Sequence, residues 1–119
     1  MKIKLVGIKY KHEEVTNGTC DLCYNTTKYK LPTYTFDIDG EPYIANLYQE
    51  DYIRYETFYR VAQISDAIEF ANWLNHHEFR DVDKSELWLF LFNLVSDYYL
   101  VNDYSHDEKL LEKYLLWHY

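Results

Sequence analysis

Thr33-Tyr34-Thr35-Phe36-Asp37-Ile38-Asp39-Gly40-Glu41-Pro42-Tyr43-Ile44-Ala45-Asn46-Leu47-Tyr48 decides how the chain is read. Residues 33–38 are rich in β-branched and aromatic residues, which suit a pleated, half-buried surface. Asp39-Gly40 is the strongest hairpin signal in the chain, because a two-residue turn of this kind needs positive φ at both centres. Residues 42–48 then read as the return strand. Upstream, residues 2–10 alternate, with Ile3 and Leu5 and then Ile8 and Tyr10 apolar. The phase changes at Gly7, which marks an irregularity in that strand. Residues 55–64 alternate again, with Tyr55, Thr57, Tyr59 and Val61 on one side and Phe58 opposite, and are expected to form a fourth strand.

Downstream the period changes. Asp66 is followed three positions later by Glu69, Asp83 by Glu86 and Ser105 by Glu108, a capping spacing that opens three helices. Ala67, Ile68, Ala71 and Leu74 are the expected apolar stripe of the first. Leu87, Leu91, Leu94, Val95 and Tyr98, broadened by Trp88 and Phe92, serve the second. Leu110, Leu111, Tyr114 and Leu115 serve the third. Strands first and helices after imply an α+β fold, not alternating βαβ units. The expectation is one domain over 1–119. A small antiparallel sheet of about four strands (1–64) packs against two or three C-terminal helices (65–119).

Charge is regional. Residues 1–35 sum to +3 and residues 36–119 to −11, giving the formal −8. The acidic part is unsuited to phosphate, so no direct nucleic-acid binding is expected. A basic protein surface is the complementary partner. Aromatics make up 19% of the chain, mostly tyrosine, which supplies contact area with a polar tip on an exposed face and also suits a sheet core. Residues 1–10 alternate instead of forming an apolar leader core, and no apolar run is long enough to span a bilayer. A cytoplasmic, reducing setting without membrane attachment is therefore expected.

Cys20-Asp21-Leu22-Cys23 follows the Asn17-Gly18 turn signal. Two sulfurs three positions apart on a tight turn suit one tetrahedral zinc. A second such pair is absent, so the remaining ligands must come from elsewhere, His12 and His76 first. A pair of reduced thiols and a redox pair stay open beside the metal. The redox reading needs a helix starting at the first cysteine, and residues 24–30 show no amphipathic period. A zinc site here is expected to be structural. His12-Glu13-Glu14 has the H-x-E letters of a zinc deaminase, but on a strand end and without the proline before Cys20. His76-His77 also reads as a C-terminal helix cap, and adjacent helical residues point about 100° apart.

The acids Asp37, Asp39, Glu41, Glu50, Asp51 and Glu56 gather around the hairpin region, with Tyr43, Tyr48, Tyr52, Tyr55 and Tyr59 interleaved. Asp37 and Asp39 are expected on one strand face. With Glu41 they lack the spacing of a Ca²⁺ loop. Solvated edge charges protect a sheet edge. The functional alternative is an acidic, tyrosine-bearing recognition ridge. No phosphate-binding glycine loop and no nucleophile elbow occurs, so an enzyme is not expected.

The strand of residues 2–10, the Gly18-Thr19-Cys20-Asp21-Leu22-Cys23 turn and the acidic remainder resemble small phage and mobile-element anti-CRISPR proteins acting on type II-A Cas9, a group that includes a metalloprotein. The resemblance implies an inhibitor that binds Cas9 or its guide RNA complex in the host cytoplasm and blocks DNA loading or cleavage. The alternatives are a small phage or bacterial structural or interaction module and, last, a metal-dependent or redox enzyme.

Overall fold

The computed structural model describes residues 1–17, 25–104 and 108–119, with the backbone alone for Asn17, Asn25, Tyr104, Glu108, Leu110 and Leu111. Five strands precede three helices: β1 (Ile3–Asn17), β2 (Asn25–Ile38), β3 (Glu41–Asn46), β4 (Tyr48–Ile53), β5 (Glu56–Val61), α1 (Ala67–Asn75), α2 (Leu87–Tyr104) and α3 (Glu108–His118). The fold is α+β, with antiparallel strands N-terminal and helices C-terminal.

The strands form two sheets, β1-β2-β3 and β4-β5, instead of one sheet of about four. β3 ends at Asn46, and Leu47 is buried while its N–H bonds the Pro32 carbonyl at 3.2 Å. The chain then leaves the first sheet. The expected strand over 55–64 starts one residue late, because Tyr55 lies in a turn, and its partner β4 fills the stretch between.

Ile38 faces Glu41, so Asp39-Gly40 closes β2–β3 as a two-residue turn, with φ of 52° and 89°. The β1–β2 register shifts between Leu5 and Gly7. That bulge puts one extra residue into β1, so Ile3 and Leu5 face the core before it and Ile8 after it, while Val6 turns out, 68% exposed. The sequence irregularity at Gly7 is this bulge.

The inner face of the first sheet packs on α1 and α2. Ile3, Tyr34, Phe36 and Ala45 meet Phe70, Leu74, Leu91, Leu94 and Val95 in one core. Tyr34 and Phe36 stack at 5.6 Å. The Tyr34 hydroxyl donates to the Ala62 carbonyl at 2.8 Å, which satisfies its one polar atom inside the core. Asp66 caps α1, its carboxylate accepting from the N–H groups of Ile68 and Glu69 at 3.0 Å. The apolar face of α1 is Phe70, Trp73 and Leu74; Ala67 and Ile68, expected inside, are exposed. α2 begins at Leu87, later than the expected Asp83, because Asp83 opens a hydrogen-bonded turn, Glu86 N–H to Asp83 carbonyl at 2.9 Å. On α3, Leu115 is buried, whereas Tyr114 is partly exposed and stacks on His118.

Beyond Leu31, β1 and β2 continue without β3 as a two-stranded arm. The arm lengthens the molecule to 52 × 33 × 23 Å. Its radius of gyration, 16.5 Å, exceeds the roughly 13.5 Å of a compact chain of this length.

Candidate interaction surface

Tyr48-Gln49-Glu50-Asp51-Tyr52-Ile53 and Glu56-Thr57-Phe58-Tyr59-Arg60-Val61 pair in strict antiparallel register, Tyr48 with Val61 and Ile53 with Glu56. Alternation puts Tyr48, Glu50, Tyr52, Thr57, Tyr59 and Val61 on one face and Gln49, Asp51, Ile53, Glu56, Phe58 and Arg60 on the other. The tyrosine face meets the arm. The Tyr59 ring packs edge-on against Tyr29 at 5.0 Å and against Tyr48 at 6.3 Å, and its hydroxyl donates to Glu13 at 2.8 Å. That bond to the Glu13 carboxylate, with Glu50 nearby, pushes the Tyr59 hydroxyl up to about 12. Leu31 is buried. On the opposite face Asp51 pairs with Arg60 at 3.7 Å, and the Arg60 guanidinium lies 5.5 Å from the Phe92 ring of α2.

Two contacts fix the direction of this hairpin. Ala62 touches Tyr34, whose β1 partner is Ile8; Tyr59 touches Glu13, five residues farther out along β1. β4 therefore runs outward along the arm and β5 returns inward, so the β4–β5 turn points away from the helical core.

That turn is Arg54-Tyr55, with φ of 48° and 70°. Both residues carry Cβ atoms in the left-handed region, where an L-residue pays about 1–2 kcal/mol. The turn holds four exposed side chains together: Tyr52 at 66%, Ile53 at 60%, Arg54, and Tyr55 at 96%. Glu50 and Glu56 are exposed beside them. The Glu50 carboxylate, hydrogen-bonded to the Tyr52 hydroxyl, raises the Tyr52 pKa.

The nominated ridge is thus split. Glu50, Asp51, Tyr52, Tyr55 and Glu56 gather on the second hairpin, with half-buried Tyr48 at its base. Asp37, Asp39, Glu41 and Tyr43 belong to the first hairpin, in the other sheet. Asp37 and Asp39 do not share a strand face as expected, because Asp39 is in the turn. Asp37 accepts from the Gly40 N–H at 2.9 Å and Asp39 from the Lys2 N–H at 2.8 Å, so both brace the turn. Tyr43 packs half-buried on the core, and burial raises its pKa. Ile53 and Arg54 are tip residues that sequence reasoning missed. Their only signal is the mirrored alternation of Tyr48/Glu50/Tyr52 and Thr57/Tyr59/Val61 about positions 54–55.

Cys20 and Cys23 lie outside the described residues. His12 faces Lys30 on the arm, and His76 is the C-cap of α1, its Nδ1–H donating to the Asn72 carbonyl at 2.7 Å. Among the described residues no three His, Cys, Asp or Glu side chains are grouped to hold a metal. Among them, too, no helix is long and apolar enough to cross a membrane. No family model, curated protein or solved structure matches the chain.

Proposed function

We propose that this chain is a protein-binding module that presents the β4–β5 tip to a basic partner surface. The observation that carries the reading is the Arg54-Tyr55 turn. A chain that needs only a tight turn uses glycine, asparagine or aspartate there, as this one does at Asp39-Gly40. Keeping two bulky residues at positive φ costs stability and holds Tyr55 almost wholly in solvent. Tyrosine and arginine are enriched among the residues that carry the binding energy of protein interfaces, tyrosine because it adds a large area and a polar tip, arginine because its planar fork makes several hydrogen bonds. The −11 charge of residues 36–119 favours a cationic partner and steers its approach.

The partner to test first is type II-A Cas9, through its resemblance to anti-CRISPR inhibitors. The wild-type protein is titrated against Cas9, with and without guide RNA, and DNA cleavage is followed at several salt concentrations. Binding and inhibition that weaken as salt rises are expected. Tyr52→Ala/Tyr55→Ala should weaken binding by about thirtyfold. No binding and no inhibition at low salt removes Cas9 as the partner. Equal binding by the wild type and the double variant removes the hairpin tip as the contact.

A further inference from the structure

β1 is an edge strand, paired with β2 on one side only. Phe79 covers the open side at Met1, its N–H donating to the Met1 carbonyl at 2.8 Å. Among the described residues, no hydrogen bond reaches the outer backbone edge of residues 8–16. That stretch belongs to the arm, and its side chains are exposed or half-buried. The unpaired N–H and C=O groups of such an edge are a template for a further strand.

The residues along the edge determine which strand fits. Lys9 and Lys11 stand in its first half, Glu13 and Glu14 in its second. A copy of β1 running antiparallel reverses that order and lays anions against cations. Alternation puts Lys9, Lys11, Glu13 and Val15 on one face and Ile8, Tyr10, His12, Glu14 and Thr16 on the other. A two-fold axis through the joined sheet keeps each face on its own side, so only residues of one face can be opposed. With the axis at His12, Lys11 faces Glu13 of the other copy twice and Tyr10 faces Glu14 twice, while the two His12 residues meet on the axis. Moving the axis to Lys11 or to Glu13 sets like charges against each other there.

The charged groups are free to make this contact. Within one copy the Lys11 ammonium lies 3.7 Å from Glu13 Oε1, and 62% and 36% of the two side chains remain exposed. The Tyr59 hydroxyl occupies the other carboxylate oxygen of Glu13. Each carboxylate oxygen accepts more than one donor, so Oε1 can take a second lysine.

We propose that the outer edge of β1 is a docking site for a second copy of this chain, residues 8–16 pairing antiparallel with residues 8–16 about an axis at His12. The contact is isologous, so it closes at two copies, and it joins the two arms into one four-stranded sheet. It is separate from the β4–β5 tip and does not rest on its reading.

The test is sedimentation equilibrium of the whole protein from about 10 µM to about 1 mM, with a reductant present to exclude cysteine cross-links. One strand pair is smaller than a standard interface, so dimerisation with Kd about 100 µM is expected, weakening as salt rises. Lys11→Glu and Glu13→Lys should each weaken self-association at least about tenfold, because each sets two like-charge pairs across the axis. Their equimolar mixture should associate at least as tightly as the wild type, since positions 11 and 13 then oppose with opposite sign in both pairs. Glu13→Lys also loses the Tyr59 bond, so its Tm is measured alongside. If it does not fold, carbodiimide coupling of mixed light and isotopically heavy wild-type copies takes its place and should join Lys11 of one copy to Glu13 of the other. A monomer at the highest concentration overturns the proposal and marks the lysines as guards of an unshared edge. Growth beyond two copies, unchanged association of Lys11→Glu, a mixture no tighter than its components, or no Lys11–Glu13 coupling between copies overturns it as well.

Discussion

Asp39-Gly40 and Arg54-Tyr55 each close a hairpin with two residues at positive φ. The first pair suits that backbone, and its acids brace the turn by accepting from Gly40 and Lys2 N–H groups. The second pair opposes it and leaves its side chains in solvent. The strands differ in the same way. β2 carries Tyr34 and Phe36 wholly buried, whereas β4 and β5 bury no residue completely and lean on the arm through Tyr59. One hairpin is built as core and the other as display. A turn is held either by its own residues or by the strands around it, and the second hairpin uses its ladder and the Tyr59 contacts to hold a turn its own residues disfavour.

The contrast can be broken most strongly at the core. Phe36→Ala should cost about 3–5 kcal/mol in denaturant unfolding, because a fully buried ring leaves a cavity against Tyr34. Phe58→Ala, at a half-buried site on the second hairpin, should cost less than half as much. Equal losses would mean that the second hairpin is core as well. Next comes the pair of tyrosine hydroxyls. Tyr34→Phe should cost about 1–3 kcal/mol, since it removes the buried partner of the Ala62 carbonyl, and Tyr59→Phe less than about 1 kcal/mol.

The turns themselves should respond in opposite directions. Arg54→Asn with Tyr55→Gly should raise stability by about 1–2 kcal/mol, or about 4–8 °C in Tm, while binding to any tip partner falls. Gly40→Ala should lower stability by about 1 kcal/mol, because its φ is 89° although there is room for a Cβ. A destabilised Asn-Gly variant would show that Arg54 and Tyr55 support the fold instead of displaying a surface.

The smallest effect is alkaline. Tyr59 and Tyr98 are both pushed up to about 12 in the folded protein, above the ordinary value near 10. Their folded-state preference for the neutral hydroxyl is fully present below pH 10 and is lost as pH rises from about 10 to about 12. Stability should therefore be flat with respect to these groups up to pH 10 and then fall. Tyr98→Phe should reduce the slope of that fall, measured by pH-resolved thermal unfolding.

Several features were legible because they depend on neighbours in the chain. The Asp39-Gly40 turn needs only local chirality. The Gly7 bulge shows as a phase change in alternating residues, and the Asp66 cap as an acid before an apolar period. The inward set of α2 follows from helical periodicity over 18 residues. The Arg54-Tyr55 turn left only the mirrored alternation of its flanking residues, because no glycine, asparagine or proline announces it. The burial of Phe70 in place of Ile68 was equally hidden, since which stripe of a short helix faces inward depends on what packs against it.

By itself, then, the sequence determined the α+β order, the first hairpin, the regional charge and the places where helices begin to be possible. Those follow from chirality, periodicity and residue charge, which act over a few positions. Tertiary structure decided that the strands divide into two sheets and that the acid-and-tyrosine set separates between two hairpins. It also left the outer edge of β1 open along the arm. Those outcomes depend on contacts between residues far apart in the chain, such as Tyr59 with Glu13 and Tyr34 with Ala62, and no local pattern encodes them.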